Sequence, residues 1–234
     1  MTGVQTCTFP ISDINLIPEK NKQYYTEKII YLPNSYQPSE STRVVVDKKL
    51  TRNDFNLKDD QFIFCCLNTA HKINPKIFDS WANILKAVSN SVLWLLENNN
   101  ISQKNLKKEA IIRKIDPERI IFCKRTSSKE HIKRYQLADL YLDTFPYGAH
   151  TTANEALFSG LPIITIIGES FQSRVCSSLL TTIGLKELIT NSYDKYENLA
   201  INIAKNPQKL KLIKDNLKIN IKNSPLFKIG RAHV

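Results

Sequence analysis

The chain has 234 residues, enough for one domain or one and a fraction. With 42% hydrophobic and 24% charged residues it is composed like a globular fold, which excludes low-complexity disorder, collagen-like repeats and a disulfide scaffold. No apolar run approaches a membrane span, so no membrane partner is expected, whereas a net charge of +11 raises nucleic acid as a possible partner.

The elements follow in chain order. Met1–Ile11 (MTGVQTCTFPI) and Ile229–Val234 (IGRAHV) resemble translated sequencing adapter. ATC GGA AGA GCA CAC GTC encodes the latter, and the opposite adapter strand encodes TGVQTCALPI. Residues 1–12 and 228–234 are therefore expected to be non-native ends of a fragment from a longer gene. Residues 13–60 are polar and carry Pro18, Pro33 and Pro38, and they read as a connecting segment from a preceding lobe. Short strands are expected there at Ile29–Leu32 and Val44–Val46. From Gln61 the pattern becomes regular. Strands are expected at Gln61–Leu67, Ser91–Leu96, Arg119–Cys123, Leu140–Thr144 and Pro162–Ile167, with a short one at Glu187–Thr190. Helices are expected at Pro75–Val88, Asn105–Lys114, Lys129–Ala138, Thr152–Ser159, Gln172–Ile183, Tyr193–Lys205 and Pro207–Ile221. Unbroken apolar strands alternating with helices predict an α/β fold with a doubly wound parallel sheet, Rossmann-like, over residues 61–227.

Cys65, Cys66, Cys123 and Cys176 have no C-x-x-C spacing and read as buried small hydrophobes, so zinc is not expected. Such cysteines fit a reducing compartment, and a cytoplasmic location is expected.

In an open parallel sheet, ligands bind beyond the carboxyl ends of the strands. That rule singles out the loops Asn68–Lys72, Lys124–His131, Phe145–Thr152 and Gly168–Arg174. Thr152 and Glu155 fit a T-x-x-E capping box at a helix start whose free N–H groups would suit phosphate. Gly148 and Ala149 before it would let a ligand approach the backbone. Ser127 and Glu130 form a second box opening a helix with His131 and Arg134 on one face at i, i+3. Taken alone, each of these features describes a capped helix or a solvated face, and Lys72 a surface lysine. Their shared position at the carboxyl ends is what groups them. The chain has no G-x-x-x-x-G-K-[ST], G-x-G-x-x-G or G-x-S-x-G, which disfavours P-loop, dinucleotide and serine-hydrolase chemistry. Carboxylates in these loops are few, so no metal is expected.

Four stretches carry a family resemblance: EKIIYLPNSYQPSE (Glu27–Glu40), FCCLNTAHKINPKIFDSWANILKAVSNSVLWLL (Phe64–Leu96), EHIKRYQLADLYLDTFPYGAHTTANEAL (Glu130–Leu157) and SPLF (Ser224–Phe227). Together they resemble the C-terminal catalytic region of protein O-GlcNAc transferases and their SPINDLY relatives. The resemblance implies the donor-binding lobe of a GT-B glycosyltransferase that is inverting and metal-independent. Such enzymes move a sugar from a nucleotide diphosphate to Ser or Thr hydroxyls of acceptor proteins, which are recruited by tetratricopeptide repeats upstream. It implies that Lys72 stabilises the leaving diphosphate, that His131 and Arg134 hold the nucleobase, that His150, Thr151 and Thr152 bind phosphate, and that Glu155 meets the ribose. Thr69 stands in the same donor site where animal members have Gln, Ser128 where they have Lys, and Glu155 where the family usually has Asp. The implied donor is UDP-GlcNAc, with GDP-fucose as the SPINDLY-like alternative. The family's N-terminal lobe is missing here, so this chain alone is expected to be inactive. A nucleic-acid module is the weaker reading. The basic excess is mostly Lys and accompanies abundant Ile and Asn, the residues of A+T-rich codons. Removing Lys228 and Arg231 with the tail lowers +11 to +9.

Overall fold

The computed structural model describes residues 9–40 and 50–228. Two short strands, β1 (Ile11–Ser12) and β2 (Ile30–Tyr31), pair in parallel. The expected strand at Val44–Val46 lies outside the described residues. The main sheet comprises β3 (Phe62–Cys66), β4 (Ser91–Leu96), β5 (Ile120–Cys123), β6 (Leu140–Leu142), β7 (Ile163–Ile166) and β8 (Ile189–Thr190). It runs in the order β5-β4-β3-β6-β7-β8, and every pairing is parallel. Counted within the sheet this is 3-2-1-4-5-6, the doubly wound order whose direction reverses between β3 and β6.

The helices are α1 (Pro75–Ala87), α2 (Asn100–Ile112), α3 (Ser128–Arg134), α4 (Thr151–Phe158), α5 (Phe171–Thr182), α6 (Tyr193–Lys205) and α7 (Pro207–Asn223). α1 packs on α6, while α4 packs against α3, α5 and α7. Right-handed crossovers put these groups on opposite faces of the sheet, so the central strands are covered twice. This is why Ile63–Leu67 and Ser91–Leu96 are buried residue after residue rather than in alternation. The four described cysteines are free and buried in that core, and burial pushes the Cys66 thiol up to about 12.

Two expected boundaries move for local reasons. α2 begins at Asn100, not Asn105, because Asn99 caps it, accepting the Ser102 N–H at 2.8 Å. Its polar first turn carries no apolar period to read. α3 ends at Arg134, and a 3-10 turn, Tyr135–Leu137, completes the expected helical stretch.

The stretch that precedes β3 is anchored by one carboxylate. Asp13, 1% exposed, accepts the N–H groups of Leu16 (2.9 Å) and Tyr36 (3.0 Å) and the Ser178 hydroxyl of α5 (2.7 Å). That anchor brings the stretch around Tyr36 and Gln37 to the start of α4, where the Gln37 amide donates to Thr151 Oγ1 at 3.3 Å.

Candidate functional site

The reversal between β3 and β6 leaves a crevice beyond their carboxyl ends. The loops Asn68–Lys72 and Phe145–His150 and the start of α4 meet there. They line a hollow of about 370 Å³ with Asn68, Thr69, Lys72, Arg125, His131, Tyr147, His150, Thr151 and Thr152 among its walls. A second hollow of about 190 Å³ adjoins it and shares Leu96, Arg125 and His131; its remaining walls are Thr126, Ser128, Arg134 and Glu155. All eight residues singled out from sequence therefore line one continuous cleft.

Lys72 closes a 3-10 turn, Ala70–Lys72, directly after β3. Its Nζ donates to the Gly148 carbonyl at 2.8 Å and lies 4.2 Å from the centre of the Tyr147 ring. Burial pulls the Lys72 pKa down, and the nearby Asp143 carboxylate acts to raise it. A cation thus stands at the cleft floor with one of its three N–H groups committed to Gly148.

The Phe145–His150 loop, which holds a cis Phe145–Pro146 peptide, is shaped by Asp143. That carboxylate is 1% exposed and accepts the Thr144 N–H (2.8 Å), the Ala149 N–H (2.7 Å) and the Thr165 hydroxyl (2.7 Å). Burial pushes it up to about 6, against the pull of those donors. This packing favours Gly148, because a Cβ there would crowd Asp143 Oδ2 at 3.0 Å and the Gln172 carbonyl at 3.3 Å. The expectation that Gly148 makes room for a ligand is corrected accordingly: its missing side chain makes room for Asp143. Below the cleft, Thr152 Oγ1 donates to Asn68 Oδ1 (2.8 Å), Asn68 Nδ2 to Thr144 Oγ1 (3.2 Å), and Thr144 Oγ1 to the Tyr147 carbonyl (2.7 Å). This chain ties α4, β3 and the loop together.

The start of α4 also differs from expectation. Its N-cap is His150, without a side-chain capping bond, and Thr152 is inside the helix with its hydroxyl spent on Asn68. The Thr152–Glu155 capping box is therefore absent. Glu155 instead points across to α3, 3.6 Å from His131 Nε2. The first N–H groups within α4 to bond back are those of Ala153 and Asn154, to the His150 carbonyl. The Thr151 and Thr152 N–H groups precede that ladder, at the positive end of the helix. His150 Nε2 meets the Gln172 carbonyl at 3.3 Å, and burial lowers its pKa.

The Ser127 cap of α3 is present, accepting the Glu130 N–H at 3.4 Å. It sets His131 and Arg134 side by side, but not on a solvated face. Arg134 is fully buried, donates to the Lys124 carbonyl at 2.7 Å and to His131 Nδ1, and keeps an Nε with no partner among the described residues. A guanidinium can only donate, so Nδ1 accepts and the His131 proton sits on Nε2, facing the Tyr135 hydroxyl (3.0 Å) and Glu155. Burial, with Arg134 and Arg125, holds the His131 pKa down to about 4, so near neutral pH its 3.6 Å contact with Glu155 is not an ion pair.

Sequence reasoning missed Asn68, Arg125, Tyr147 and Asp143. The first three lie within loops already singled out, at the carboxyl-end positions that the strand rule marks. Asp143 directly follows the apolar strand β6 and is 1% exposed, an unusual residue to bury.

The geometry agrees with comparisons to known proteins. Residues 39–233 match the model of glycosyl transferase family 41. The chain is 34% identical over 232 residues to a probable UDP-N-acetylglucosamine–peptide N-acetylglucosaminyltransferase SEC of Arabidopsis thaliana, covering 97% of this chain and 24% of that protein. It is 34% identical to the Caenorhabditis elegans UDP-N-acetylglucosamine–peptide N-acetylglucosaminyltransferase, covering 76% of this chain and 16% of that protein. To a probable enzyme of the same name, SPINDLY, from Solanum lycopersicum it is 32% identical, covering 96% and 24%. The chain thus spans about a quarter or less of these relatives. Among solved structures, a Thermobaculum terrenum O-GlcNAc transferase mutant superposes with a TM-score of 0.84 at 25% identity, covering 95% of this chain and 42% of that one. The lipopolysaccharide glycosyltransferase WaaG shares the fold, with a TM-score of 0.69 at 14% identity, covering 97% and 61%. The expected resemblance is borne out: the chain belongs to glycosyl transferase family 41, with the O-GlcNAc transferases and SPINDLY, and forms a Rossmann-like lobe of their GT-B fold.

Proposed function

We propose that this lobe binds the nucleotide-sugar donor of a protein O-glycosyltransferase, and that the donor is UDP-GlcNAc. The supporting observation is the cleft itself: Lys72 and the leading N–H groups of α4 converge on a hollow whose described walls include no Asp or Glu. A diphosphate placed there meets a cation and a helix N-terminus, the two features that stabilise a leaving diphosphate. The adjoining hollow, with the neutral His131 and Glu155, takes the nucleoside. Arg134 acts there by holding the imidazole in its Nε2-protonated form. The sugar is displaced from the diphosphate by a Ser or Thr hydroxyl of an acceptor protein, with inversion and without a metal. Among the described residues no three His, Cys, Asp or Glu side chains group to hold a metal ion. The acceptor hydroxyl would arrive from the side of a second lobe, and upstream repeats would recruit the acceptor. By itself this chain is expected to bind donor and not to turn over.

Calorimetry on the chain tests the reading. UDP should bind more tightly than GDP, and Lys72→Ala should cost about 1.5–3 kcal/mol of UDP binding, the range for a charge-assisted hydrogen bond. Unchanged UDP affinity in that variant would remove the site. A clear preference for GDP would instead favour the SPINDLY-like alternative donor, GDP-fucose.

A further inference from the structure

The cleft contains two arginines with opposite surroundings. Arg134 is fully buried and spends its guanidinium on the Lys124 carbonyl and on His131. Arg125, nine residues earlier in the loop after β5, is exposed, and no side-chain hydrogen bond or ion pair within the described residues involves it. Among the described residues it is also the one charged side chain that borders both hollows. Its charge reaches into the site, since it contributes to holding down the His131 pKa.

The charge balance of the first hollow favours a ligand for this free group. The diester diphosphate of a nucleotide sugar carries about two negative charges, and the leaving diphosphate gains more. Lys72 supplies one positive charge, and a helix N-terminus roughly half of one. No carboxylate is among the described walls of that hollow, and a bound diphosphate is still short of positive charge unless Arg125 is counted. A guanidinium offers a planar fork to two phosphate oxygens, from a position between the hollows where the phosphate nearest the nucleoside would lie.

We propose that Arg125 is a donor-contacting residue that clamps the diphosphate, and that the buried Arg134 serves instead as the positioning residue for His131. This inference rests on the donor-binding reading above and adds a second cation to the diphosphate site. Among the described residues Arg125 has no side-chain partner to lose, so Arg125→Gln should fold with an unchanged melting temperature.

The test is titration of the chain and of Arg125→Gln with UDP, UMP and uridine at two salt concentrations, with Lys72→Ala alongside. The expected result is a loss of about tenfold or more in UDP affinity for Arg125→Gln, the weight of one charge-assisted contact. UMP should lose affinity as well, uridine should stay within about twofold, and the salt dependence of UDP binding should flatten. If Arg125→Gln binds UDP like the parent while Lys72→Ala does not, the clamp is wrong and the donor site stands. Equal losses for UDP and uridine would place Arg125 on the base and overturn the clamp. If the parent chain binds neither UDP nor GDP, the donor-site reading fails, and the clamp with it.

Discussion

The two ends of the sheet carry hollows of opposite character. One, about 530 Å³, lies at the amino end, between the starts of β3 and β4 and the end of α6. Its charges neutralise one another. Arg52 donates to the carbonyls of Leu137, Asp59 and Gln61 and to Asp139 at 3.0 Å, and Lys214 stands 3.5 Å from the other Asp139 oxygen. At the carboxyl end the first hollow, about 370 Å³, joins Lys72, Arg125 and a helix N-terminus, with no carboxylate among its described walls. Size therefore does not separate the two ends. What distinguishes the proposed binding end is positive charge left unneutralised by the described residues, and parallel strands produce that asymmetry because every helix that follows a strand starts at the same edge.

The sharpest way to break this contrast is to remove the group that shapes the carboxyl end. Asp143→Ala leaves two backbone N–H groups and the Thr165 hydroxyl without their acceptor. Urea unfolding should show a loss of about 3 kcal/mol, since each stranded buried donor costs about 1–3 kcal/mol. A loss below about 1 kcal/mol would show that the loop does not depend on Asp143. The matching change at the amino end is Arg52→Ala, which strands several carbonyls that water can partly reach. It should cost about 1–2 kcal/mol of stability while leaving UDP affinity unchanged. Any effect on UDP binding would mean that the two ends are coupled.

The smallest effect is in pH dependence. The His131 pKa is held down to about 4 from 6.5, so its contribution to stability is present above 6.5 and lost as pH falls towards 4. Asp143 is pushed up to about 6 from 3.8, so its contribution is present below 3.8 and lost as pH rises through 6. The two oppose each other across the shared window. Urea midpoints measured through that window should tilt in opposite directions for His131→Gln and Asp143→Asn. The first should fall more steeply with rising pH, and the second should rise. A tilt of the same sign in both would show that one group titrates near its ordinary value.

Much of the architecture was legible from periodicity. The strand at Ser91–Leu96 and the helix at Tyr193–Lys205 were expected with the bounds they have, because burial on both faces gives an unbroken apolar run and burial on one face gives a helical stripe. The start of α2 was not, because a polar, capped first turn has no stripe. Thr152 and Glu155 show a different failure. Their spacing satisfies a capping pattern, but the Thr152 hydroxyl donates to Asn68 and the Glu155 carboxylate lies beside His131, both partners distant in sequence. Local patterns describe the bonds a segment can make alone, and a tertiary partner can displace them.

From sequence alone came the alternation of strands and helices, the parallel sheet, and the four loops where ligand chemistry would gather. Those follow from short-range hydrophobic patterning and from the common direction of parallel strands. The pairing of β3 with β6, the burial of Arg134, the exposure of Arg125 and the grip of Asp143 on the Phe145–His150 loop were decided only in three dimensions. Each depends on which distant residues become neighbours, because desolvation and hydrogen-bond competition act between partners in space and leave no period along the chain.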